Sequence, residues 1–241
     1  MPTELTADDI AANIADAQQR IADACKRAGR DADAVTLVAV TKTHPMDYVR
    51  AAVAAGIRDL GENKVQELQE KADELPGAER GGDVRWNYIG HLQSKKSKDI
   101  LGRATLFHAL DSLSLADTIQ KRAERDEIAG LDCFVQVNVS GEDSKFGLEP
   151  DDVHAFVASL RDHDRIRIKG LMTLAAPTDE PESVRPQFAL LRRLGETFPQ
   201  ADHPDADLSG LSMGMSGDYE IAIEEGATHV RLGSTLFGAR G

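Results

Sequence analysis

The sequence predicts an α/β fold, a single (β/α)8 barrel of the TIM type with an extra N-terminal helix. Three observations predict it: apolar runs rich in β-branched residues alternate with segments of helical periodicity, eight such runs can be counted, and one helical segment precedes them all. Strands separated each time by a helix run parallel through right-handed crossovers, and eight of them favour closure over an open doubly wound sheet. A length of 241 residues suits one such barrel, so 1–241 is expected to be a single domain.

The leading helix is read from Ile10, Ile14, Ala17, Ile21 and Ala24, which share one helical face behind Thr6 and Asp9, spaced as in a capping box. Gly29 is its stop signal. Val35 to Thr41 is a nearly continuous apolar run of the kind a parallel sheet buries on both faces, and this first strand ends at Lys42. The alternation then predicts a helix at 46–55, a strand at 57–61, a helix at 64–75 and a strand at 86–89. A short helix at 94–101 leads to a strand at 105–110, a helix at 113–126 and a strand at 133–139. After Pro150 come a helix at 151–161, a strand at 166–173, a helix at 181–198, a strand at 207–213, a helix at 219–225 and a last strand at 229–237. The Gly-, Pro- and Asp-rich stretches near 76–83, 175–181 and 200–205 are short enough to be connections.

Composition narrows the function classes. Hydrophobic residues at 41% and charged residues at 29% suit a soluble globular protein. With 41 Asp+Glu against 28 Lys+Arg, the net charge of -13 repels a phosphate backbone, so no nucleic acid partner is expected. An anion site must work locally against that field, through its own backbone donors. Cys25 and Cys133 have neither zinc-site nor disulfide spacing and read as small core residues. His44, His91 and His108 show no metal-ligand spacing. The acidic, amphipathic N-terminus is unlike a signal peptide and no apolar run spans a bilayer, so no membrane association and a cytoplasmic location are expected.

In a barrel of this kind the site lies where the strands end. Lys42 directly follows Leu37 to Thr41, and burial at a barrel mouth lowers an ammonium pKa and frees the amine to attack an aldehyde. A snorkelling lysine is the plain alternative. Two late turns, Ser212 to Asp218 after strand seven and Arg231 to Thr235 at strand eight, stand where barrels often hold phosphate, and Ser216, Gly217, Gly233 and Ser234 offer donors. Either turn alone reads as a connector, but the two together favour phosphate. Arg231 is either a surface ion-pair partner or, pointing into the mouth, a permanent donor that would keep a pyridine nitrogen unprotonated and weaken the ring as an electron sink. Asn63, His91, Gln93, Asn138, Lys145 and Met172 also stand at strand ends, each with a structural alternative such as Asn63 capping the helix that starts at Lys64. Lys95, Lys96 and Lys98 read as a solvated helix face.

The segments VAVTKTHP (38–45), GENKVQE (61–67), WNYIGHLQSKK (86–96), NVSGEDSKFG (138–147), GLMTLAAP (170–177), LSMGMSGDYEIAI (211–223) and VRLGSTLFGAR (230–240) together resemble the pyridoxal phosphate homeostasis protein family, related to the N-terminal barrel of alanine racemase. The resemblance covers nearly the whole chain in motif order. It implies a fold type III barrel for pyridoxal 5'-phosphate (PLP), held as a Schiff base on Lys42. It further implies Ser216, Gly233 and Ser234 at the phosphate, Arg231 at the pyridine nitrogen, and Asn63 and Met215 around the cofactor. Lys145 falls in a family segment thought to line the pocket. Lys64 stands where an aromatic is usual, Lys95 where Asn is usual and Ser234 where Thr is usual.

Two functions follow as expectations. The first is a PLP carrier and regulator acting in vitamin B6 homeostasis and amino/keto-acid balance, without catalytic turnover and with PLP-requiring apoenzymes as recipients. The alternative is a weak PLP-dependent amino-acid racemase with Lys42 as one base. The chain ends at Gly241 just after the last predicted strand, so no second domain is expected to bring the opposing base. A cofactor-free Schiff-base aldolase would leave the late turns with nothing to hold. The chain is expected to be a monomer, with a dimer as the alternative.

Overall fold

The structure, a computed structural model, describes residues 5–141 and 146–238. Helix α1 (Ala7–Arg27) leads, and the capping box forms: the Thr6 side chain accepts from the Asp9 backbone N–H while the Asp9 carboxylate accepts from the Thr6 backbone N–H. Strands and helices then alternate as β1 (Thr36–Val40), α2 (Met46–Ala54), β2 (Asp59–Glu62), α3 (Val65–Glu74), β3 (Arg85–Tyr88), α4 (Ser97–Ile100), β4 (Leu106–Leu110) and α5 (Leu113–Arg125). The second half runs β5 (Leu131–Gln136), α6 (Val153–Ser159), β6 (Ile166–Met172), α7 (Arg185–Glu196), β7 (Gly210–Ser212), α8 (Tyr219–Glu224), β8 (His229–Leu232) and α9 (Ser234–Phe237).

The eight strands are parallel and pair in sequence order, and β8 closes on β1 with Val38 opposite Arg231 and Ala39 opposite Leu232. Closure leaves no sheet edge, so the strands are hydrogen-bonded on both sides and buried between barrel interior and helices. Buried side chains such as Leu60, Trp86, Phe107, Phe134, Phe188 and Leu232 form one core, which includes Cys25 and Cys133. Helix α1 packs against α2, α8 and α9 through Ile10, Ile14, Ala17 and Ile21. On its outer side Arg20 and Arg27 pair with Glu220 and Glu224, exposed contacts that each contribute little.

Element order and type match the expectation, and several boundaries are corrected. The last apolar run does not continue as strand to 237: β8 stops at Leu232, Gly233 turns the chain, and Ser234–Phe237 is a helical turn. Apolarity alone does not tell a short buried strand from a short buried helix. The strand expected at 207–213 pairs only over Gly210–Ser212, and β5 lies two residues earlier than expected at its start and ends at Gln136. The helices expected at 151–161 and 181–198 open with 3-10 turns, Pro150–Asp152 and Pro181–Val184, before α6 and α7 begin.

Candidate functional site

Seven residues expected at a site line one cavity of about 480 Å³ at the C-terminal mouth of the barrel: Lys42, Asn63, Met215, Ser216, Arg231, Gly233 and Ser234. Gly217 lines it too. His91 and Met172, for which a structural role was weighed, also belong to its wall, whereas Gln93 and Asn138 do not. Lys145 lies outside the described residues. Sequence reasoning missed Gln136, Phe146 and Leu174. Gln136 is the last residue of β5, so a stricter strand end would have found it; Phe146 and Leu174 sit in loops, where no period marks them. Phe146 stacks on His91 with ring centroids 4.0 Å apart, and its carbonyl accepts from Gln136 Nε2 at 3.1 Å. With Leu174 and Met215 it gives the mouth an exposed apolar rim.

Lys42 follows β1 in a turn that is pinned on both sides. Thr41 is fully buried, its backbone N–H donating to the Gly61 carbonyl at 3.0 Å, and Thr43 takes a left-handed φ of 67°. Asn63 does not cap α3. Its neighbour Lys64 occupies the cap position without a side-chain bond, and Asn63 Oδ1 is buried with no hydrogen-bond partner among the described residues. Gly90 fixes this segment by approaching so closely that a Cβ there would lie 2.3 Å from the Asn63 carbonyl oxygen. Lys64 points outward and pairs with Glu67 at 3.2 Å, and Lys95 is exposed in a 3-10 turn, so neither departure from the family pattern touches the cavity.

The two late turns are built as one unit. Gly214 has φ +92°, and a Cβ there would lie 2.6 Å from Ala222 Cβ, so only glycine lets the chain turn against α8. The Met215 N–H donates to Asp218 Oδ1 at 2.6 Å, and the Asp218 and Tyr219 N–H groups donate back to the Met215 carbonyl. Burial pushes the Asp218 carboxyl up from its ordinary value. The Thr235 N–H donates to Ser216 Oγ at 3.2 Å and so ties the second turn to the first. At Gly217 a side chain would meet open space, which leaves the backbone approachable from the cavity.

Arg231 is not a surface residue. It is 3% exposed, donating from Nη1 to Ser212 Oγ at 2.5 Å and from Nη2 to the Thr173 carbonyl at 2.8 Å. Burial lowers its pKa, yet a guanidinium remains a cation at any pH the protein meets. Behind it, a polar chain threads the barrel interior. Asn87 Nδ2 donates to Asp59 at 3.2 Å, so Asn87 Oδ1 faces His108 Nε2 at 2.9 Å and must accept; His108 Nδ1 then accepts from the Ser212 hydroxyl at 2.8 Å. Ser212 is left with a lone pair for Arg231, and the donor order of the whole chain is set.

His108 is therefore held neutral, its pKa driven well down by burial and by the nearby His229 and Arg231. His229 falls to about 4, chiefly through burial. Between that value and the ordinary 6.5 the unfolded chain binds more protons than the folded one, so stability is lost as the pH falls through this window. Going from pH 7 to pH 5 is expected to lower the unfolding free energy by about 2 kcal/mol or more, read by denaturant titration at both pH values. An unchanged midpoint would mean that neither histidine is kept neutral by folding.

The alanine racemase N-terminal domain family matches residues 7–241. A pyridoxal phosphate homeostasis protein of Aquifex aeolicus is 41% identical over 92% of this chain and 94% of its own length. One of Pseudomonas aeruginosa is also 41% identical, over 96% of each chain. The chain belongs to the pyridoxal phosphate homeostasis protein family. Among solved structures, PipY of Synechococcus elongatus with PLP bound superposes with a TM-score of 0.81 at 32% identity, covering 95% of this chain and 100% of that one. In this member of the pyridoxal phosphate homeostasis protein family no helix among the described residues is long and apolar enough to cross a membrane.

Proposed function

We propose that this protein binds PLP in the mouth cavity, holds it as a Schiff base on Lys42, and serves intracellular PLP homeostasis and amino/keto-acid balance as a carrier rather than as a catalyst. The observation that carries the reading is convergence: a strand-end amine, two linked Gly/Ser turns and a buried arginine, from opposite ends of the sequence, wall a single cavity. The cavity also fits the group, since the buried Asn63 Oδ1 has no partner among the described residues and is an acceptor awaiting a donor. PipY, a relative with PLP in its structure, supports the same reading.

What PLP supplies when bound is an aldehyde for the Lys42 amine and a phosphate for the late turns. Lys42 would hold such an aldehyde as a Schiff base, the two amine hydrogens and the aldehyde oxygen leaving as water. The turn around Ser216 and Gly217 and the start of α9 at Gly233 and Ser234 offer backbone N–H groups and hydroxyls to the phosphate, close to a helix start whose first N–H groups have no acceptor within the helix. Met215, on the cavity wall, would flank the ring. Arg231, locked by Ser212 and Thr173, can only donate, so a ring nitrogen held beside it would have to accept and would stay unprotonated. An unprotonated ring takes up carbanion charge poorly, which favours keeping the cofactor over transforming an amino acid.

The test is to mix purified protein with PLP, reduce with borohydride and map the modified peptide. Label on Lys42 is the expected result. No stable label, or label spread over surface lysines, would remove the basis for the proposal.

A further inference from the structure

Beneath the Lys42 turn lies a buried ion cluster with no counterpart in the cofactor contacts described above. Lys71, on α3, is 6% exposed, and Glu62, at the end of β2, is 0% exposed. Lys71 Nζ donates to Glu62 Oε1 at 2.7 Å and to the Thr41 carbonyl at 2.7 Å, and it lies 3.5 Å from Glu67 Oε2. Glu62 Oε1 also accepts from Thr41 Oγ1 at 2.6 Å. Glu67, one turn before Lys71 on the same helix, accepts from the Thr43 backbone N–H at 2.5 Å with Oε2, while Lys64 pairs with its Oε1.

The residues before and after Lys42 are thus each held by this cluster through a backbone atom. Thr43 is one of two non-glycine residues with positive φ among the described ones, a conformation a threonine keeps only when its surroundings impose it. A buried lysine costs desolvation that its bonds must offset, and removing one partner leaves the other buried and uncompensated. Here those bonds end on the turn that aims Lys42 into the cavity. We propose that Lys71 and Glu67 are positioning residues for Lys42: they clamp Thr41 and Thr43 so that the amine stands ready for an aldehyde. The inference rests on the reading that Lys42 is the amine that takes PLP.

Two ligands separate its consequences. PLP has the aldehyde; pyridoxine 5'-phosphate has the same ring and phosphate but an alcohol in its place. Glu67→Ala and Lys71→Met are expected to slow borohydride trapping of PLP on Lys42 by roughly tenfold to a hundredfold, the scale of misplacing a reacting group. Both are expected to leave the affinity for pyridoxine 5'-phosphate unchanged, and Glu67→Gln, which keeps an acceptor oxygen, should restore most of the rate. In the ligand-free protein, amide hydrogen exchange at Thr43 should quicken in Glu67→Ala and not in Glu67→Gln. If Lys71→Met does not fold, the Glu67 pair decides alone, because that side chain is partly exposed. Trapping at the wild-type rate in folded variants overturns the positioning role and leaves the PLP reading intact. Equal losses for both ligands also overturn it, as damage to the whole mouth. If the wild type itself puts no PLP on Lys42, both readings fall together, and the wild-type arm alone reveals it.

Discussion

Lys42→Ala is expected to weaken PLP binding by roughly a hundredfold or more and to abolish the visible absorbance of the loaded protein. The phosphate and ring contacts remain in that variant, but the covalent bond to the aldehyde cannot form, and a loss of about 3 kcal/mol already corresponds to about a hundredfold in affinity. The fold should be untouched. Lys42 is only half-buried and stands two residues beyond Val40, the last ladder residue of β1, so the unfolding free energy should stay within about 0.5 kcal/mol of the wild type. Pyridoxine 5'-phosphate, which never bonds to the amine, should bind the variant as it binds the wild type. Titration of both ligands, followed by absorbance and by protein fluorescence, reads these outcomes. Equal PLP affinities in the two proteins would make Lys42 a bystander at the barrel mouth.

Gly214→Ala is expected to lower stability by about 2–5 kcal/mol and to weaken every phosphate-bearing ligand together. A residue with a side chain resists φ +92° at about 1–2 kcal/mol. Its Cβ would lie 2.6 Å from Ala222 Cβ and 2.9 Å from Tyr219 Cα, an overlap that adds about 1–3 kcal/mol. The strain falls on the turn that carries Met215, Ser216 and Gly217, so PLP and pyridoxine 5'-phosphate should lose affinity alike, in contrast to Lys42→Ala. Gly217→Ala is the control, since a Cβ there meets open space and stability should not change. Thermal unfolding of the three proteins would separate them. A Gly214→Ala protein as stable as the wild type would mean that α8 gives way without disturbing the turn.

Much of the site was legible in the sequence because a barrel places its site where strands end. Lys42 after β1, Asn63 after β2 and the turns after β7 and β8 could be named from that rule, and the motif resemblance assigned Asn63 and Met215 to the cofactor. Arg231 could be named as well, but not its surroundings. Whether it paired on the surface or pointed inward depended on Thr173, just after β6, and Ser212, at the end of β7, both many residues away in the chain. Asn63 shows the reverse error: local spacing suggested a helix cap, and the backbone turned out to place the cap one residue later.

By itself the sequence determined the alternation of strands and helices, the leading capped helix and the positions where chemistry could stand, because hydrophobic period and turn residues are local properties. Where β8 stops and α9 begins was not local, since an apolar run from 229 to 237 suits either element and only pairing with β1 ends the strand. The polar chain from Arg231 through Ser212, His108 and Asn87 to Asp59 draws on five strands and exists only once the barrel closes. The Glu62–Lys71 cluster under Lys42 joins the end of β2 to α3, and only the packing of that helix against β2 and β3 buries it. Side-chain burial and donor order belong to tertiary structure, because they depend on which strands closure brings side by side.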